Sequence, residues 1–147
     1  MTIVQAAAGD EAGRAVLRLP ERGESRCGSL ALAAGPGETV DVVRLEDQLG
    51  GEAPALVKID VEGYELHVLR GMGKMLEDRR LRSLAVEVHP PEMARLGDET
   101  ADLLRMLRGA GYQLAWASSV AQQRVELREV ADACLTIPCF NLFATRG

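Results

Sequence analysis

The stretch ALVKIDVEGYELHVLRGM, residues 55–72, decides the fold. Its first half is an apolar run, Ala55, Leu56, Val57 and Ile59, with the makeup of a buried strand. The run stops at Asp60, and Glu62 and Glu65 follow within five positions. Carboxylates at the end of a buried strand are costly unless something partners them. The second half changes period. Leu66, Leu69, Gly73 and Leu76 recur at helical spacing, and Val68, Met72 and Met75 widen that face. Gly71 and Gly73 each cost about 1 kcal/mol against Ala inside a helix, which predicts a bend or an early stop there.

Upstream, residues 2–8 (TIVQAAA) are short, apolar and suited to a strand, and GDEAG reads as a turn. Residues 14–19 (RAVLRL) set Val16 and Arg18 against Ala15, Leu17 and Leu19, the pattern of a half-exposed strand. A polar loop over residues 20–29 and a short return strand (SLALA) follow. Val40, Val42 and Val43 mark another strand, with a helical turn near Leu45 to Leu49. Downstream, LRSLAVEVH is a strand ended by Pro90 and Pro91. Asp98 is an expected N-cap for a helix carrying Leu103, Leu104 and Leu107, stopped by Gly109 or Gly111. YQLAWA, RVELREV and CFNLFAT supply three final strands.

Strands alternating with helices predict an α/β fold with a mostly parallel sheet, and the two closely spaced last strands predict an antiparallel C-terminal hairpin at one edge. Ligands of such sheets sit beyond the carboxyl ends of the strands. Asp60 and His89 both stand at such ends, on consecutive strands.

A length of 147 residues suits one domain and buries about 70% of the extended chain's surface. Aromatic residues make up only 3%, so Leu, Val and Ala must fill the core. The net charge of -5 and the lack of a long basic cluster argue against a nucleic-acid partner. No apolar run reaches 18 residues, and the N-terminus has neither the basic region nor the long apolar core of a signal peptide, so no membrane role is expected. Cys27, Cys134 and Cys139 form an odd set without zinc spacing. They read as reduced, buried thiols of a cytoplasmic protein.

VKIDVEGYELHVLRGM, followed by LAVEVHPP at residues 84–91 and then FNLFAT, resembles the FkbM-type methyltransferases. VQAAAGDEAGRAVLRL and VVRLEDQL are similar to the segments that precede the Lys-Ile-Asp strand in that family. The resemblance implies a Rossmann-like class I methyltransferase sheet. It also implies S-adenosylmethionine as cofactor and a hydroxyl on a small molecule or sugar as acceptor. The family's opening strand, with its glycine-rich turn, and the second strand, with its ribose-binding acid, have no counterpart in residues 1–147. The expectation is therefore a partial sheet in a single, N-terminally incomplete domain. A second expectation stands beside the enzyme: a truncated, non-catalytic remnant serving as a structural or interaction module. Either way, the strand at residues 56–60 is expected to lack its usual neighbour and to expose an edge open to self-association.

On the resemblance, Asp60 faces the transferred methyl and the acceptor hydroxyl, and Glu62 orients the acceptor or shares a metal with Asp60. No metal is assigned from the sequence, because carboxylates alone fit many roles. A plainer role is open to Glu62 and Glu65, since negative charge at a helix start is worth about 0.3–1 kcal/mol. His89 is a candidate general base near pH 7 or a hydrogen-bonded structural histidine. Asp10 is a candidate adenine contact or an ordinary turn residue. Lys58 is expected to reach Glu87 on the neighbouring strand, and His67 to be an ordinary mid-helix side chain.

Overall fold

The computed structural model describes residues 1–18, 29–31, 37–117, 128–130 and 137–147. It is a mixed α/β structure with two sheets. The first sheet contains β1 (Ala7–Ala8), β2 (Gly13–Arg18), β3 (Ser29–Ala31) and β4 (Glu38–Val43), in the order β1-β4-β2-β3. The second contains β5 (Leu56–Ile59), β6 (Ser83–Val88), β7 (Gln113–Ala117), β8 (Arg128–Glu129) and β9 (Phe140–Thr145), in the order β5-β6-β9-β7-β8. The helices are α1 (Leu45–Gln48), α2 (Glu65–Gly71), α3 (Pro90–Arg95) and α4 (Thr100–Gly109), with a 3-10 turn at Gly73–Glu77.

The expected mostly parallel sheet is corrected by the pairing. In the second sheet β5 and β6 are parallel, but β9 runs antiparallel to both β6 and β7, and β8 antiparallel to β7. The crossover helices keep β5, β6 and β7 in one direction, and the reversed β9 then fills the gap between β6 and β7. The expected hairpin at an edge is corrected with it. Phe140, Leu142 and Ala144 of β9 are essentially fully buried. A strand that apolar needs a neighbour on each side.

The strand beginning at Leu56 is an edge, not a fully buried strand. Among the described residues it pairs with β6 alone, and of its four residues only Ile59 is buried, while Leu56 is 60% exposed. The N-terminal strand is also shorter than its apolar residues predict. Only Ala7 and Ala8 pair, with β4, and Met1, Ile3 and Val4 are exposed. Cys27, Cys134 and most of RVELREV lie outside the described residues.

The apolar face of α2 is as its period predicts. Leu66, Val68, Leu69 and Met72 are buried, continuing through Met75 and Leu76, and they join Leu84, Val86, Leu103, Leu107 and Leu142 in one core. The two glycines end α2 for different reasons. A side chain on Gly71 would stand 1.9 Å from the Gly9 carbonyl oxygen, so only glycine lets the helix touch the end of β1. Gly73 has φ +51° and opens the 3-10 turn.

Helix α4 ends in a Schellman arrangement. Gly111, at φ +88°, donates to the Arg108 carbonyl, and Tyr112 donates to that of Leu107. Its start differs from expectation: Glu99 occupies the N-cap without a side-chain bond, and Asp98 turns toward α2 instead. Pro90 and Pro91 end β6 as expected, yet they also begin α3, because the first helical turn needs no N–H donor there.

Candidate functional site

The site forms where β5 and β6 end side by side. Ile59 pairs with Val86, so Asp60 and Glu87 come next on the two parallel strands. Side chains alternate along a strand, which puts Lys58, Asp60, Glu87 and His89 toward one face. The Lys58 Nζ donates to Asp60 Oδ2 at 3.0 Å and lies 3.9 Å from Glu87 Oε2, as its position in the strand predicts. On the other side β9 brings in one more residue. Glu87 pairs with Asn141 and Val88 with Phe140, so Cys139 falls opposite His89. The Cys139 thiol donates to Glu87 Oε1 at 3.4 Å.

After Asp60 the chain turns sharply into α2. Glu62 has φ +50°, an uncommon value for a residue other than glycine, and Gly63 has φ +102°. A side chain on Gly63 would strike Glu92 and Met93. This turn folds Glu62 back over His89, with Glu62 Oε2 3.4 Å from His89 Nε2.

Glu65 does more than favour a helix start. It is fully buried, and its Oε1 accepts from the Gly63 N–H at 2.9 Å and from His89 Nδ1 at 2.8 Å. Where Glu65 accepts this bond, His89 donates from Nδ1, and its Nε2 faces Glu62. The other oxygen, Glu65 Oε2, is buried without a hydrogen bond. The Glu65 hydrogen bond raises the His89 pKa above its ordinary 6.5; burial opposes this, and the charges of Glu65, Glu62 and Glu87 add to it. Asp60, Glu62 and His89 thus converge, with one ligand-type atom from each within 4.8 Å of the others. Glu87, His89 and Cys139 meet the same condition.

Asp10 is not part of this group. It follows β1, and its Oδ2 lies 2.9 Å from His67 Nδ1. His67 is no ordinary mid-helix side chain. Its Nε2 lies 3.0 Å from Asp98 Oδ2, and its ring stacks on Tyr64 at 4.2 Å. Burial raises the Asp10 pKa, but the hydrogen bond and charge of His67 outweigh it, and the net direction is down. A groove of about 660 Å³ lies along β4 and residues 4–7 and shares no residue with the carboxylate–histidine group. Among the described residues no helix is long and apolar enough to cross a membrane.

The roles of Glu65 and Cys139 were missed by sequence reasoning. The signal for Cys139 was register arithmetic, which needs the partner of β9 to be known. The signal for Glu65 was the two-residue turn at Glu62 and Gly63, which points the start of α2 back at the end of β6.

A family model, the methyltransferase FkbM domain, matches residues 28–114, more than half of the chain. No curated protein and no solved structure matches it.

Proposed function

The chain belongs to the FkbM methyltransferase family, and from that premise we propose that it serves S-adenosylmethionine-dependent methylation of a hydroxyl oxygen on a small molecule or sugar, with His89, Asp60 and Glu62 at the reaction centre. The observation that carries this reading is the convergence of those three side chains at the ends of two parallel strands, over a buried Glu65. The donor set fits the cofactor's charge. Four carboxylates gather here, Asp60 and Glu87 beside Lys58, and Glu62 and Glu65 beside His89, and such an excess of negative charge favours a sulfonium over an anion. When bound, S-adenosylmethionine supplies a methyl group open to in-line attack by an oxygen.

The residues here align the acceptor and take its proton. Neutral His89 keeps its proton on Nδ1, held by Glu65, and so presents the Nε2 lone pair to the hydroxyl. Asp60 is the weaker candidate for the base, because Lys58 already occupies one of its oxygens. Its place is toward the sulfonium and the acceptor, with Glu62 orienting the hydroxyl beside His89. Asp10, held by His67 beyond β1, is assigned to the adenine end.

The test is transfer of a labelled methyl group from S-adenosylmethionine to a panel of hydroxyl-bearing small molecules. The chain is assayed alone and fused behind the glycine-rich strand–turn unit of an FkbM relative. His89→Gln lowers turnover about 100- to 10,000-fold, the usual range for a general base, and Asp60→Asn lowers it less. No transfer in either form, or near-full turnover in a folded His89→Gln protein, defeats the reading.

A further inference from the structure

We propose that His89, Glu62 and Asp60 form a binding site for a divalent first-row metal ion of the Mn²⁺ type. Its purpose rests on the reaction-centre reading above, while its existence is measured without cofactor or acceptor.

The geometry is that of a ligand set. Metal ions hold nitrogen and oxygen donors at about 2.0–2.2 Å, so donors on one ion lie no more than about 4.4 Å apart. His89 Nε2 and Glu62 Oε2 are already 3.4 Å apart, and Asp60 completes a set within 4.8 Å. Small side-chain rotations close the rest.

The histidine is the independent sign. Its side chain is 9% exposed, and its one hydrogen bond among the described residues is made by Nδ1 to Glu65. Nε2 is left aimed into the carboxylates. A buried carboxylate holding one imidazole nitrogen while the other faces outward donors is the support that metal-bound histidines receive. It also gives the fully buried Glu65, with its unpartnered Oε2, a purpose that a helix start does not.

Charge and donor type select the ion. Lys58 touches Asp60 and Glu87 but not Glu62, and it leaves an excess of negative charge on the face where His89 points. Two carboxylates and one imidazole suit Mn²⁺, Fe²⁺ or Zn²⁺ better than soft ions that prefer sulfur. Cys139 bonds to Glu87 and lies outside the proposed set. The Asp60 side chain is 46% exposed, so the outer positions of the ion open to water or to a hydroxyl oxygen. An acceptor hydroxyl held there would be acidified by the ion itself; with the ion bound, His89 Nε2 serves as a ligand in place of its role as base, and the hydroxyl proton leaves to water.

The experiment is titration of the EDTA-treated chain with MnCl₂, followed by electron paramagnetic resonance of free Mn²⁺ and by calorimetry. The expected result is saturable binding of one ion per chain. Glu65→Gln weakens it about 10- to 100-fold, the usual effect of losing a histidine's outer partner. Glu62→Gln and His89→Gln weaken it at least as much, and Cys139→Ser leaves it unchanged. Glu62 is only part-buried, so its variant keeps the test decisive if His89→Gln does not fold. Absence of saturable binding, or wild-type affinity in Glu62→Gln, overturns the proposal. Loss of Mn²⁺ binding alongside intact methyl transfer would defeat the ion alone. Binding without transfer would defeat the methyl-transfer reading alone.

Discussion

Cys139 shows how one side chain is set by what surrounds it. The sequence suggests a small buried hydrophobe, and the structure makes it a half-buried thiol facing carboxylates. Burial pushes its pKa up, the Glu87 hydrogen bond and charge push further, and Glu62 and Asp60 add to them, to about 12. At pH 8.5 an unperturbed cysteine is substantially thiolate, whereas Cys139 holds roughly a thousandfold less. In a Cys27→Ser, Cys134→Ser background, iodoacetamide should therefore alkylate Cys139 tens of times more slowly than glutathione in the metal-free chain, because the greater nucleophilicity of a high-pKa thiolate offsets part of its scarcity. Glu87→Gln should speed the reaction. Alkylation at the rate of a free thiol would mean that the carboxylates do not face it. His89, a few ångströms away, is governed the same way: its tautomer follows from Glu65, a residue 24 positions distant in sequence.

At the scale of elements, α2 is where sequence and structure agree most closely, and its limits explain why. The period of Leu66, Leu69, Met72 and Leu76 is local information, and so is the early stop at Gly71. The reason for Gly71 is not local, since it is the Gly9 carbonyl pressed against its Cα. Gly71→Ala should cost about 1–3 kcal/mol through overpacking, larger than the gain in helix propensity, and urea unfolding measures it. A neutral result would mean that β1 does not rest on α2. The strand ends were legible too: a run ending in Asp60 and another ending in His89 pointed to one site. The insertion of β9 between β6 and β7 was not, because two nearby strands read alike whether they pair with each other or separately. The exposure of β5 was expected from the family resemblance, which leaves that strand without its usual neighbour, but not from its own residues. Its apolar run, Leu56 to Ile59, resembles a central strand, yet its outer side has no strand among the described residues. That edge should make the chain self-associate in sedimentation as concentration rises, and Val57→Pro, which removes a backbone donor, should shift it toward monomer if the Val57 N–H points outward. A monomer at every concentration would show that something else covers the edge.

At the scale of the whole molecule, the two sheets share no strand, and besides the bond from the Lys74 N–H to Glu46 of α1, it is α2 that ties them together. It packs on the core of the second sheet through Leu66 and Leu69, and it meets the first at Gly71 and through the His67 contact with Asp10. The far side of His67 reaches Asp98, which Arg70 also holds at 3.3 Å, so one imidazole spans β1, α2 and the segment before α4. Both ring nitrogens face carboxylates. The acid limb of stability reports on this tie. The Asp10 pKa is lowered on folding from its ordinary 3.8, so across that range the unfolded chain binds more protons than the folded one. The stability Asp10 contributes is therefore complete above about pH 4 and is lost as the pH falls through its lower folded value. Asp10→Asn should be less stable than the parent at pH 6, and the gap should close as the pH approaches 2. Chemical denaturation at a series of pH values reads this directly. A gap that stays constant across the range would mean that Asp10 contributes only its shape, and the junction of the two sheets would then rest on the packing of Gly71 against Gly9.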